Sequence, residues 1–208
     1  MAAVRTLIAA LAPAFLLAGL APPAAAQLIS EGTEFLRAIE KRDEDSQKVT
    51  ELVDVPGSTV INARDLTSGR TALHIVIADR DGPWVSYLIS QRANVNLADN
   101  QGITPLMLAV QIGYVEGVEA LLAARARVDV ANTSGETPLM FAVHARNTDV
   151  MRVLLQAGAD PDRRDNSGRS ARDYARLRGA NDITNDVIAR YERPANQRAG
   201  AATYGPSF

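Results

Sequence analysis

One spacing governs this chain. Thr71, Thr104, Thr137 and Ser170 stand 33 residues apart, and Gly69, Gly102, Gly135 and Gly168 precede each of them by two. Leu73, Leu106 and Leu139 keep the same phase, as do Ala109, Ala142 and Ala175. A gapless 33-residue period demands stacked supersecondary units, none of which buries its apolar face alone.

The segment 99–131 shows what one unit contains. Asp99-Asn100-Gln101-Gly102 is a turn sequence in which Gly102 is free to take a positive φ. Thr104 is placed to cap a helix, and Pro105 in its first turn loses no useful N–H. Leu106, Leu108, Ala109 and Val110 form an apolar stripe, and Gly113 suits the helix end. Val115, Val118, Leu121 and Leu122 predict a second amphipathic helix. In the preceding unit the second helix is expected to start at Asp81-Gly82-Pro83, with Trp84, Tyr87, Leu88 and Ile89 on its buried side. Val150, Met151, Val153, Leu154 and Leu155 serve the next unit.

Gly102-Ile103-Thr104-Pro105-Leu106-Met107-Leu108-Ala109 and Gly135-Glu136-Thr137-Pro138-Leu139-Met140-Phe141-Ala142 resemble the ankyrin T-P-L-H-x-A signature. Gly69-Arg70-Thr71-Ala72-Leu73-His74 is an earlier copy. The closing segments Ala93-Asn94-Val95-Asn96, Ala126-Arg127-Val128-Asp129 and Gly158-Ala159-Asp160-Pro161-Asp162 follow the same pattern. The resemblance covers about residues 31 to 191 and implies an all-α solenoid. Its expected organisation is an N-terminal cap repeat at 27–65, repeats at 66–98, 99–131 and 132–164, and a C-terminal cap repeat at 165–191. The cap assignments rest on the polar run Glu40-Lys41-Arg42-Asp43-Glu44-Asp45 and on Arg172, which stands where other repeats carry Leu. Residues 192–208 are expected to be a disordered tail.

The first 26 residues read as a cleavable signal peptide: Arg5, an apolar stretch from Leu7 to Leu20, then Ala24-Ala25-Ala26. No stable membrane anchor is expected after cleavage. The chain has no cysteine, which is compatible with an oxidising compartment. Its basic residues are 20 Arg against 2 Lys, a bias associated with high-GC bacterial genomes. A periplasmic or secreted bacterial protein is the expectation. The formal net charge of −2 hides an acidic segment at 31–54 and an Arg-rich one at 163–198.

No catalytic constellation is visible. Two histidines and no cysteine leave no Cys–His pair or Cys-rich zinc site. Neither G-x-S-x-G, H-E-x-x-H nor a phosphate-binding glycine loop occurs. Asp99, Asp129, Asp160, Asp162 and Asp165 recur at repeat junctions, where Asp satisfies turn N–H groups, and do not match a calcium loop. No enzyme activity, cofactor, metal or nucleic-acid partner is expected, and a monomer is the default. The resemblance makes His74 a structural residue that bonds neighbouring turn backbone.

The resemblance also implies a concave partner-binding surface made by turn tips and first helices. Position by position it comprises Thr67, Ser68, Arg70, Ala78 and Asp79; Asn100, Gln101, Ile103, Gln111 and Ile112; Thr133, Ser134, Glu136, His144 and Ala145; and Asn166, Ser167 and Arg169. Ile103 and Ile112 are expected to be its exposed apolar centre. The function implied is a non-enzymatic interaction module for another protein. The second reading is a dedicated inhibitor or immunity-type protein that blocks one exported enzyme or toxin.

Overall fold

The computed structural model describes residues 24–44, 46–55 and 58–191, with side chains from residue 31. Helices α1 (Ala24–Glu40) and α2 (Ser46–Val53) form the first unit, closed by a short 3-10 turn at Val60–Asn62. The pairs α3 (Ala72–Ala78) and α4 (Gly82–Ser90), α5 (Pro105–Gln111) and α6 (Val115–Ala123), α7 (Pro138–His144) and α8 (Thr148–Gln156), and α9 (Ala171–Leu177) and α10 (Ile183–Arg190) follow. The first helices of the pairs pack side by side in one row, and α4, α6, α8 and α10 pack in a second row behind them. This is the expected all-α solenoid. The expected tail lies outside the described residues, as does the expected leader apart from Ala24–Ala26, which open α1.

The first helix of each of the four following pairs has seven residues, too few to persist alone in water. Capping and packing hold it. Thr104 Oγ1 accepts from Met107 N (3.3 Å), Thr137 Oγ1 from Met140 N (3.4 Å) and Ser170 Oγ from Asp173 N (3.2 Å). Asp81 caps α4 through Trp84 N (3.2 Å), as its position predicts, and Asn147 caps α8 through Val150 N (3.1 Å). Gly113 ends the turn after α5 with φ of 66°. At the corresponding turns Arg80 and Arg146 take positive φ without being glycine, and Arg92 and Arg125 do so after α4 and α6.

The Leu73, Leu106 and Leu139 column and the Ala109, Ala142 and Ala175 column are buried in one continuous core that runs from Phe35 to Ile188. Val85 and Leu88 form the buried side of α4. Trp84, Tyr87 and Ile89 are only half-buried, the two rings meeting edge-on at 5.1 Å between centroids. The last unit carries Arg172, Asp173 and Arg176 where the preceding one buries Leu139, Met140 and Val143. Arg172 Nε pairs with Asp162 Oδ1 at 2.6 Å, so the end of the stack is closed by charged side chains.

The polar run after α1 departs from its expected exposure at one residue. Arg42 is buried, because its guanidinium reaches across to the next unit: Nη2 meets Asp79 Oδ2 at 2.9 Å, Nε meets Asp81 Oδ2 at 2.8 Å, and Nη1 donates to Ile39 O. Burial of a guanidinium is tolerable when it is paired with carboxylates and hydrogen-bonded in this way.

Units are joined by projecting turns, or fingers, that pair with one another. Asp99 Oδ1 accepts from Gln101 N and Ile103 N, Asn132 Oδ1 from Ser134 N and Glu136 N, and Asp165 Oδ1 from Ser167 N and Arg169 N. Neighbouring fingers are linked by Asn100 N→Ser68 O (2.9 Å), Thr133 N→Gln101 O (3.1 Å) and Asn166 N→Ser134 O (3.1 Å). A Cβ on Gly135 would stand 2.6 Å from Asn166 N, so this glycine serves both its φ of 82° and the close approach.

The first finger differs from the others. Asp65 N bonds Arg70 O, five residues on, whereas Asp99, Asn132 and Asp165 bond the residue four on. The extra residue is Leu66, and it is 71% exposed. The expected boundary at 65/66 therefore falls inside the finger.

Candidate functional site

The fingers and the first-helix row enclose a groove. Between the first two fingers lies a recess of about 380 Å³ lined by Ser68, Arg70, Asn100, Gln101, Leu108 and Gln111 among others. Between the last two lies a wider one of about 590 Å³, lined by Thr133, Glu136, Asn166, Arg169 and Tyr174 among others. The floor is apolar. Ile75, Leu108, Phe141 and Tyr174 occupy one register position, 33 residues apart, and all four are half-buried against the core. Ala78, Gln111, His144 and Leu177 form a parallel, exposed row.

The expected surface residues differ in depth. Thr67, Asp79, Asn100, Gln101, Gln111, Thr133, Ser134, His144, Asn166, Ser167 and Arg169 are exposed, and Ser68, Arg70 and Glu136 are half-buried. The two isoleucines are not the exposed centre. Ile103 is 8% exposed, because it sits at the base of its finger with its carbonyl held by His74 of the preceding unit. Ile112 is half-buried as the C-cap of α5, its side chain packed on the core and its carbonyl accepting from Arg80 Nη2. Asp79 is exposed but committed to Arg42. Several polar residues also serve the fingers themselves: Asn100 Nδ2 donates to Thr67 O (2.8 Å) and Asn166 Nδ2 to Thr133 O (3.0 Å).

His74 is buried beneath the groove. Its Nε2 lies 2.9 Å from Ile103 O, which only accepts, so Nε2 carries the proton. Nδ1 then accepts from Thr71 N (3.1 Å) and from the Thr71 hydroxyl (2.9 Å). Burial pushes its pKa below the ordinary imidazole value, against the opposing bond to Ile103 and the charge of Asp99.

At the far end, His144 and Tyr174 rings meet at 4.4 Å. Tyr174 Oη donates to Asp165 Oδ2 at 2.5 Å. Burial raises the pKa of Asp165, but bonds from Tyr174, Ser167 and the Arg169 backbone outweigh it and hold the carboxyl at about 2. Arg178 Nη2 donates to His144 O at 2.7 Å. Among the described residues no group of three or more His, Asp or Glu is arranged to hold a metal ion. Among them, too, no helix is long and apolar enough to cross a membrane.

A family model of ankyrin repeats in three copies matches residues 35–132, and a second, of ankyrin repeats in many copies, matches residues 121–175. The chain belongs to the ankyrin-repeat family. It is also similar to the ankyrin repeat protein FPV031 of fowlpox virus (strain NVSL), with 38% identity over 65 residues. That alignment spans 31% of this chain and 19% of the viral protein. Ankyrin repeats are protein–protein interaction modules, in general without enzymatic activity.

The ankyrin groove contains residues that sequence reasoning passed over. Leu108 reads as core in the 99–131 stripe, and Ile75, Phe141 and Tyr174 carry no signature of their own. The signal that finds them is the column rather than the helix. All four stand four residues after Thr71, Thr104, Thr137 or Ser170, and all four are large and apolar or aromatic.

Proposed function

We propose that this chain is an exported docking module that binds a partner protein along its concave groove, after removal of the leader at residues 1–26. One observation carries this reading: an apolar floor of Ile75, Leu108, Phe141 and Tyr174, half-exposed and framed by polar fingers. An apolar centre inside a polar rim is the composition of a protein interface. The groove is preformed, so docking costs little ordering. The leader sequence and the absence of cysteine support a periplasmic setting.

The test is capture of partners from periplasmic extract by the wild-type chain and by two variants. Phe141→Gln removes the centre of the floor. Gln111→Lys with His144→Lys alters the exposed row, where no folding defect is expected. Loss of one stoichiometric partner in both variants, with unchanged helical signal and melting, supports the reading. Retention of every partner by both variants sinks it.

A further inference from the structure

The groove's carboxylates each have hydrogen-bond partners within the protein. Asp65 Oδ1 accepts from the Thr67 and Ser68 hydroxyls and N–H groups. Asp99 and Asp165 are turned into their own fingers, Asp165 also accepting from Tyr174. Glu136 Oε2 accepts from Asn132 Nδ2 at 3.1 Å, its other oxygen lying 4.0 Å from His144 Nε2. Asp79 belongs to Arg42.

The cations are not matched in the same way. Arg70 and Arg169 occupy equivalent positions in the first and last fingers, and neither guanidinium has a carboxylate partner among the described residues. The Arg70 guanidinium makes one long bond, 3.4 Å, to His74 O. Around it stand further donors, the amides of Gln101 and Gln111. Two leucines of the groove frame are exposed. Leu66 bulges from the first finger and Leu177, 70% exposed, ends the exposed row of the first helices beside Arg178.

We infer that the groove takes a protein segment in which carboxylates flank large apolar side chains, the carboxylates meeting Arg70 and Arg169 and the apolar groups meeting the floor. This rests on the docking reading above. Packed helices stand about 10 Å apart, so the two arginines, three repeats apart, are about 30 Å from one another. An extended segment spans that distance with about nine residues at roughly 3.3 Å each.

The probes are three synthetic 12-residue peptides: Leu and Phe interspersed with Glu, the same with Gln for Glu, and the same with Lys for Glu. Each is titrated by fluorescence anisotropy against the full chain, against Arg70→Glu/Arg169→Glu, against Arg190→Glu as an exposed control on α10, and against Phe141→Gln. The Glu peptide is expected to bind at least tenfold more tightly than the other two and to weaken with salt. The double reversal should lose it and prefer the Lys peptide, while Arg190→Glu changes nothing. Circular dichroism and melting confirm that each variant is folded. Equal binding of Glu and Lys peptides, no binding of any peptide, or indifference to the double reversal overturns the inference. The docking reading is judged separately by Phe141→Gln: if the peptides bind without charge preference but still depend on Phe141, the groove stands and only its charge preference falls.

Discussion

At the residue scale, His74 couples two repeats through one ring. It caps its own helix start through Thr71 and holds the next finger through Ile103 O. It does so only while neutral, since Nδ1 must accept. The unfolded chain binds a proton at this residue more readily than the folded one. The stability it contributes is therefore complete above the unfolded value of about 6.5 and is lost as pH falls below that value. Urea midpoints measured at pH 8 and pH 5.5 should show a lower midpoint at pH 5.5. His74→Gln should be less stable at pH 8 by about 1–3 kcal/mol and should lose most of that slope. An unchanged slope would assign the effect elsewhere. His74 was legible from the signature alone. Ile103 was not, because the finger's register tells which residue stands at its base but not that an apolar side chain there folds inward.

At the scale of the element, the turns after the helices carry a contrast that can be measured. The non-glycine residues with positive φ among those described are all arginines. A residue other than glycine pays about 1 kcal/mol or more for that conformation. Arg80 offsets the cost by bonding Ile112 O, and Arg146 by pairing with Asp182 at 3.2 Å. Among the described residues Arg92 and Arg125 make no such bond to a neighbouring unit. Arg92→Gly and Arg125→Gly are expected to raise stability by about 0.5–1 kcal/mol, read as an increase in urea midpoint. Arg80→Gly and Arg146→Gly should gain less or lose. If all four behave alike, the cross-unit bonds contribute nothing. Helix starts were readable from Thr, Ser, Asp and Pro because capping is local chemistry. The groove floor was hidden because a half-buried position on a short helix has the composition of a core position. Only the arrangement of neighbouring units decides which side remains open.

At the scale of the molecule, each unit touches only its neighbours, so stability is a sum of units and interfaces. The C-terminal unit closes the stack with Arg172, Asp173 and Arg176. Removing residues 165–208 should uncover the face formed by Met140, Val143, Val150 and Leu154, now buried. Increased dye binding by exposed apolar surface, concentration-dependent association and a lower melting temperature are the expected results. A truncated chain that stays monomeric and melts as before would mean that the third repeat is its own cap. The all-α solenoid of repeated units was legible because its period is a property of the chain. The Arg42 staple was not, since a polar run looks the same whether it faces water or an acidic pair one unit away.

Leu66 shows where this architecture keeps count. One finger is a residue longer than its fellows, yet Asn100 N still reaches Ser68 O as its counterparts do further along. Alignment of the stack is thus kept by the link from one finger to the next, and the extra residue is taken up within its own finger.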